Sequence, residues 1–185
     1  MKLFIHVCCA HCAAYTVDYW RRQGYEASAF WYNPNIHPFT EHQNRLEAIT
    51  ALAQKMDFPL IIHDGYDMVE YFRRVAGNEQ EPERCRHCFT LRLAKVAGTA
   101  GQSGFAAFTT TLLISPHQKH DLIREIGDKV AGEKGVRFLY ADLRKRYSDS
   151  RHMTKPLDLY RQQYCGCIYS EWERYAQTNQ GGKKE

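Results

Sequence analysis

The chain has 185 residues, 25 basic against 21 acidic side chains for a formal charge of +4, and seven cysteines. That length suits one domain with a proper core, and no apolar run approaches the roughly 18 residues that a membrane span needs. The start lacks the basic, apolar and cleavage regions of a secretory leader, so a cytoplasmic protein with no membrane partner is expected, where cysteines serve as metal or redox groups and not as a disulfide framework.

Lys2–Val7 is a near-continuous apolar run, of the kind buried on both faces of a parallel sheet. It ends abruptly in Cys8-Cys9-Ala10-His11-Cys12. A helix is expected over residues 13–23, stopped by Gly24, then an aromatic-rich strand over 26–32 and a proline- and asparagine-rich loop over 33–38. Thr40 is placed to cap a second helix, in which Leu46, Ile49, Ala53 and Met56 recur at helical spacing. A short strand over 59–63 precedes a helix capped by Asp64 and closed by Gly77. A polar loop over 78–84 then delivers Cys85-Arg86-His87-Cys88 to the start of a helix reaching about Ala100. Residues 105–109 read as a fourth strand, continuing through 109–114 as strand or loop. Ser115-Pro116 is a helix start and Val136 begins a fifth strand. Thr154-Lys155-Pro156 is placed to open a helix leading to Cys165-Gly166-Cys167, and 181–185 is expected to be a frayed tail to a single domain of residues 1–180. Strands alternating with helices imply an α/β fold: about five parallel strands sandwiched by helices, with the site beyond the carboxyl ends of the strands.

All seven cysteines fall in three tight groups. One isolated cysteine is most simply a small buried hydrophobe, but three groups together argue for a shared centre. Cys85-x-x-Cys88 at a loop-to-helix junction lets two thiolates face one metal, and by itself leaves zinc, iron–sulfur and a redox pair open. Cys8 and Cys9 point to opposite faces of an extended chain, so they meet at one centre only where the chain has turned at Cys9. Cys12 is near enough to join. Gly166 permits the tight backbone that two closely spaced ligands, or a reducible disulfide, require. A four-iron cluster takes four thiolates and leaves three for further chemistry.

The remaining candidates carry less. His6 alternates with apolar residues and reads as a satisfied core histidine, while His37, His117 and His120 stand at loop or helix starts open to a substrate. Asp142, just past the fifth strand, is a candidate metal ligand or acid, or simply a partner of the neighbouring arginines. Arg144, Lys145, Arg146, Arg151 and Lys155 form the densest basic run, and with Arg161 and Gln162 they make a candidate phosphate- and base-contacting surface. No G-x-G-x-x-G or G-x-x-x-x-G-K-[ST] is present, so NAD and ATP are not expected.

Five ordered motifs together carry a family resemblance: His6-Val7-Cys8-Cys9-Ala10-x-Cys12, Tyr32-Asn33-Pro34-Asn35-Ile36-His37-Pro38, Arg84-Cys85-x-x-Cys88, Thr109-Thr110-Thr111-Leu112-Leu113-Ile114-Ser115-Pro116 and Tyr160-Arg161-Gln162-Gln163-Tyr164-Cys165-Gly166-Cys167. From the first strand to about Ser170 the chain resembles the QueH family, the cobalamin-independent epoxyqueuosine reductases, and its sheet resembles the HUP/PP-loop ATPase-like Rossmann topology without that group's Ser-Gly-Gly-rich loop. The resemblance implies two-electron reduction of the epoxide of epoxyqueuosine, at the anticodon wobble position of tRNA, to queuosine and water. It implies a 4Fe-4S cluster on Cys8, Cys9, Cys85 and Cys88. Cys165 and Cys167, with Cys12 nearby, would supply a redox pair or the ligands of a second metal, iron or zinc. Cys165, Cys167 and Asp142 are the expected catalytic groups, an external electron donor is required, and no cobalamin is expected. His11 departs from the Cys-Cys-Ala-Pro-Cys pattern. The competing readings are a zinc-stabilised RNA-binding module without catalysis and a tRNA sulfur-transfer enzyme.

Overall fold

The centre of the sheet is the apolar run with which the chain begins. In the computed structural model, which describes residues 1–180, β1 (Lys2–Val7) lies between β2 (Glu26–Trp31) and β4 (Ala107–Thr110), with β3 (Leu60–Ile62) and β5 (Arg137–Phe138) outside them in the order β3-β2-β1-β4-β5. Every pairing is parallel, and β1 runs in register with β2 from Lys2 opposite Glu26 to Val7 opposite Trp31. The expected tail at 181–185 lies outside the described residues.

The unbroken hydrophobicity of β1 reflects burial on both faces. Phe4 packs with Phe30 and Phe108 against Leu93, Val96, Ile123 and Val130 on one side. Leu3, Ile5 and Val7 pack against Val17, Ile49 and Leu52 on the other. The first layer is carried by α4 (Glu83–Gln102) and α5 (His120–Lys134), the second by α1 (Ala10–Arg22) and α2 (Phe39–Lys55). Successive strands add outward from β1 in both directions, so strand order reverses between β1 and β4. The crevice of such a sheet opens at the carboxyl ends of those two strands. Among the described residues, no helix is long and apolar enough to cross a membrane.

Several boundaries differ from the sequence expectation, each for a local reason. α1 begins three residues early because Cys9, and no downstream residue, is its cap. The second helix starts at Phe39 after Pro38, and Thr40 caps nothing. α3 (Met68–Val75) begins beyond Asp64, and α4 starts at Glu83, taking both Cys85 and Cys88 into the helix. Thr111–Ile114 is one 3-10 turn, with the Thr110 hydroxyl accepting the Leu112 amide. Ser115 closes a short turn onto the His117 amide at 3.3 Å instead of capping α5. The helix expected to open at Thr154 ends there: α6 is Tyr147–Thr154. Its sequence has no apolar stripe, and its packing on α1 is polar: the Ser150 hydroxyl donates to the His11 carbonyl and accepts the Tyr15 amide. α7 (Ile168–Gln180) follows the last cysteine directly.

Candidate metal centre

At the end of β1 the chain turns at Cys9, whose backbone stays extended (φ −171°, ψ 160°) while the next residue is already helical. The Cys9 Sγ accepts the Cys12 amide at 3.4 Å and so caps α1 in the manner of a serine or aspartate. This turn defeats the alternation of a strand. The Sγ atoms of Cys8, Cys9 and Cys12 all lie within 4.8 Å of one another, and all three residues are buried. Thr111, at the end of β4, fixes Cys8 from the adjacent strand by accepting its amide at 3.2 Å and meeting its Sγ at 3.3 Å.

The second thiol pair comes from the first turns of α4, where residues three apart share a face. The third arrives on an irregular segment that the rest of the protein grips tightly. Arg45, buried on α2 and paired with Glu41 at 2.6 Å, donates to the carbonyls of Cys165 and Tyr164, both at 3.1 Å. The His37 amide donates to the Gly166 carbonyl at 2.8 Å, and the Tyr164 hydroxyl returns a bond to the His37 carbonyl. Gly166 takes φ +138°, and a Cβ there would meet Ile36 at 3.1 Å, Asn35 at 3.3 Å and Arg45 at 3.4 Å. The glycine of this motif therefore answers both a backbone and a space requirement. Cys167 begins α7 as Cys9 begins α1, its Sγ accepting the Ser170 amide at 3.4 Å.

These elements enclose a cavity of about 450 Å³ lined by Cys8, Cys12, Cys85, Cys88, Cys165 and Cys167. Cys9 adjoins it through the thiol trio and through Gln162, whose amide donates to its Sγ at 2.8 Å. Three groups separated by up to 159 positions thus meet at one mouth of the sheet. The volume lies within the roughly 300–1,000 Å³ usual for small-molecule sites.

The electrostatics of the pocket ask for an anion. Within the trio Cys8 is the most acidic thiol, held well below the ordinary range by hydrogen bonds from Cys12 and Cys9 and by the charge of Arg92. Burial pushes Cys9 and Cys85 up and Cys88 up to about 12, so a metal must displace their protons. Arg92 is 1% exposed. Its guanidinium bonds Asn33 at 3.1 Å and reaches His6 at 3.4 Å and Cys88 Sγ at 3.8 Å. Among the described residues it has no carboxylate partner. A buried charge is costly unless paired, and among the described residues the groups that stabilise it are the thiols of Cys88, Cys8 and Cys165. An all-thiolate donor set beside a buried cation fits a thiolate-bound iron–sulfur or zinc group and excludes hard ions such as magnesium or calcium.

The other expected residues divide. Arg161 and Gln162 line the pocket. Arg144, Lys145 and Arg146 do not line it and are exposed on the flank. Asp142 stands outside the lining of the pocket, and Arg144 grips its carboxylate at 2.8 Å and 2.5 Å, holding it well below the usual carboxylate range. His6 is the satisfied core histidine expected, between Thr110 at 2.9 Å and the Tyr32 carbonyl at 3.2 Å, with burial lowering it to about 3. His117 lines the pocket, while His37 and His120 are buried. Sequence reasoning missed Arg45 and Arg92. Arg92 carried a signal, one helical turn after Cys88 on the same face; Arg45 carried none.

Residues 3–173 match the model of the family described as epoxyqueuosine reductase QueH. The epoxyqueuosine reductase QueH of Dehalococcoides mccartyi is 57% identical over 178 residues, covering 96% of this chain and 97% of that protein. That of Thermotoga maritima is 34% identical, covering 93% and 91%, and that of Streptococcus pyogenes is 35% identical, covering 91% and 70%. Among solved structures, a predicted subunit of tRNA methyltransferase from Methanocaldococcus jannaschii superposes with a TM-score of 0.53 at 12% identity, covering 97% of this chain and 88% of that one, a likeness of fold alone.

Proposed function

Since this chain belongs to the epoxyqueuosine reductase QueH family, we propose that its thiol pocket reduces the epoxide of epoxyqueuosine in tRNA to the alkene of queuosine. Two electrons and two protons are consumed; both epoxide C–O bonds break, a C=C bond forms, and the oxygen leaves as water. The observation that supports this reading above others is the meeting of three distant thiol groups in one cavity. In the proposal Cys8, Cys9, Cys85 and Cys88 hold a 4Fe-4S cluster. Cys12, Cys165 and Cys167 serve a second metal, iron or zinc, or, in the case of Cys165 and Cys167, act as a redox pair. When bound, the cluster supplies electrons singly from an external donor.

The chain's own residues do the rest. Arg45 and His37 fix the Cys165–Cys167 backbone against the pocket. Gln118 donates to Cys165 Sγ at 3.3 Å, and where Cys165 and Cys167 act as a redox pair and not as metal ligands, the Cys165 thiol is the proton donor to the leaving oxygen. Arg161 and Gln162 receive the tRNA at the rim, with Arg144, Lys145 and Arg146 as outer backbone contacts.

Anaerobically prepared protein is expected to be brown, with iron and sulfide in near-equal amounts and a thiolate-to-iron absorption that bleaches on reduction. It should also convert epoxyqueuosine to queuosine in tRNA when given a chemical reductant. Colourless protein with about one zinc per chain and no turnover would instead establish the zinc-stabilised RNA-binding module.

A further inference from the structure

Beside the thiol pocket lies a second cavity, of about 510 Å³, whose lining includes His11, Arg151, His152, Lys155, Asp158 and Arg161. His11, Arg151 and Arg161 line both cavities, so the two are contiguous. Three permanent cations face one carboxylate here. Arg151, Lys155 and Arg161 are exposed and, among the described residues, none has a carboxylate partner. The first part of the same basic run is different, since Arg144 is paired with Asp142 and Arg146 with Asp149, which leaves Lys145 alone there. Uncompensated positive charge is therefore concentrated at this second cavity.

An independent feature points the same way. His11 is 8% exposed, and its Nε2 is buried without a hydrogen-bond partner. Its Nδ1 meets Thr154 Oγ1 at 2.5 Å. The single hydrogen of that hydroxyl is directed at the carbonyls of Ser150 and Arg151, at 3.1 Å and 3.2 Å. Nδ1 must then carry the ring proton and donate to Thr154, which leaves Nε2 as a bare acceptor. An acceptor beside guanidinium groups suits a ligand that brings both a hydroxyl and an anion.

We propose that the second cavity seats the ribose-phosphate of a nucleotide adjoining the one whose base enters the thiol pocket. Arg151, Lys155 and Arg161 take the phosphate, and His11 Nε2 accepts from a ribose 2′-hydroxyl, the group by which a site distinguishes RNA from DNA. This inference rests on the tRNA reading above.

The test is equilibrium binding, by fluorescence anisotropy over a salt series, of two synthetic stem–loops to iron-loaded protein. One is an all-ribose, unmodified anticodon stem–loop; the other has 2′-deoxy sugars in its loop. Wild type is expected to prefer the ribose loop several-fold. The Arg151→Ala/Lys155→Ala variant, altered only at exposed side chains, should bind both loops roughly tenfold or more weakly, with a salt slope shallower by about 1–2. His11→Ala should bind the two loops equally. Wild-type affinity and slope in the double variant, an unchanged ribose preference in His11→Ala, or no ribose preference in wild type would each overturn the proposal. The wild-type comparison decides even where His11→Ala loses iron. No turnover is required, so a wild type that fails to reduce epoxyqueuosine would defeat the reductase reading alone and leave this series interpretable.

Discussion

The two walls of the thiol pocket are built on different principles. The sheet wall, bearing Cys8, Cys9, Cys12, Cys85 and Cys88, is fixed by strand register, by a helix cap and by the first turns of α4. The opposite wall, residues 155–167, has one 3-10 turn and no longer element. It is held by side chains reaching its main chain, chiefly Arg45, and by the amide of His37. The difference teaches that five thiols are positioned by local backbone geometry and two by partners about 120 residues away. The first kind of positioning resists single substitutions outside the thiols themselves; the second depends on a few bonds.

Substitutions can separate the two walls. The largest effect is expected on the sheet wall, where Cys8→Ser should remove most of the iron and lower turnover by more than roughly 100-fold, read by metal analysis and by nucleoside analysis of the product tRNA. Next is Arg45→Ala, which frees the opposite wall and leaves Glu41 buried without its partner. Breaking such a pair costs about 3–5 kcal/mol, measurable by urea unfolding, and a Cys8–Cys9–Cys12 wall that still binds iron in this variant would sharpen the division. Acid should loosen the same region. Burial lowers His37 and His42 to about 4, below the roughly 6.5 of an unfolded chain. Between those values the unfolded state binds more protons, so their contribution is complete above about pH 6.5 and is lost as pH falls towards 4, at most a few kcal/mol, seen as a falling Tm. Gly166→Ala should cost about 1–3 kcal/mol through its positive φ and crowded Cβ, with Cys165 and Cys167 displaced. Smallest is Asp142→Asn, expected to change turnover less than about twofold because the carboxylate stands outside the pocket; a loss of the order of 100-fold would assign it the general-acid role.

Much of the sheet was legible because its signals are local. The apolar run of β1, the turn residues of 33–38 and the leucines of α4 each encode their own element, and three cysteine groups on a parallel sheet implied one meeting place. What escaped notice was set by contacts distant in sequence. α6 has no apolar stripe to detect, since Ser150 and Thr154 secure it through hydrogen bonds to α1. Cys12 fell just before the expected helix, which the Cys9 cap starts at Ala10. Arg45 reads as one more surface residue of an amphipathic helix, and nothing near it in the chain announces that it grips Tyr164 and Cys165. Residues Arg144, Lys145, Arg146, Arg151 and Lys155 appeared as one basic run, but Asp142 and Asp149 neutralise Arg144 and Arg146, and composition does not show which cations are paired.

The guanidinium sealed beneath Cys88 carries one last implication. A polypeptide folded without inorganic ions around its sulfurs keeps protons on Cys9, Cys85 and Cys88 and leaves Cys8 as the main counter-charge to Arg92, so it is expected to be the less durable form. Filling the pocket and securing the fold are then a single thermodynamic event, and starving cells of iron should diminish the amount of intact protein as well as its catalysis.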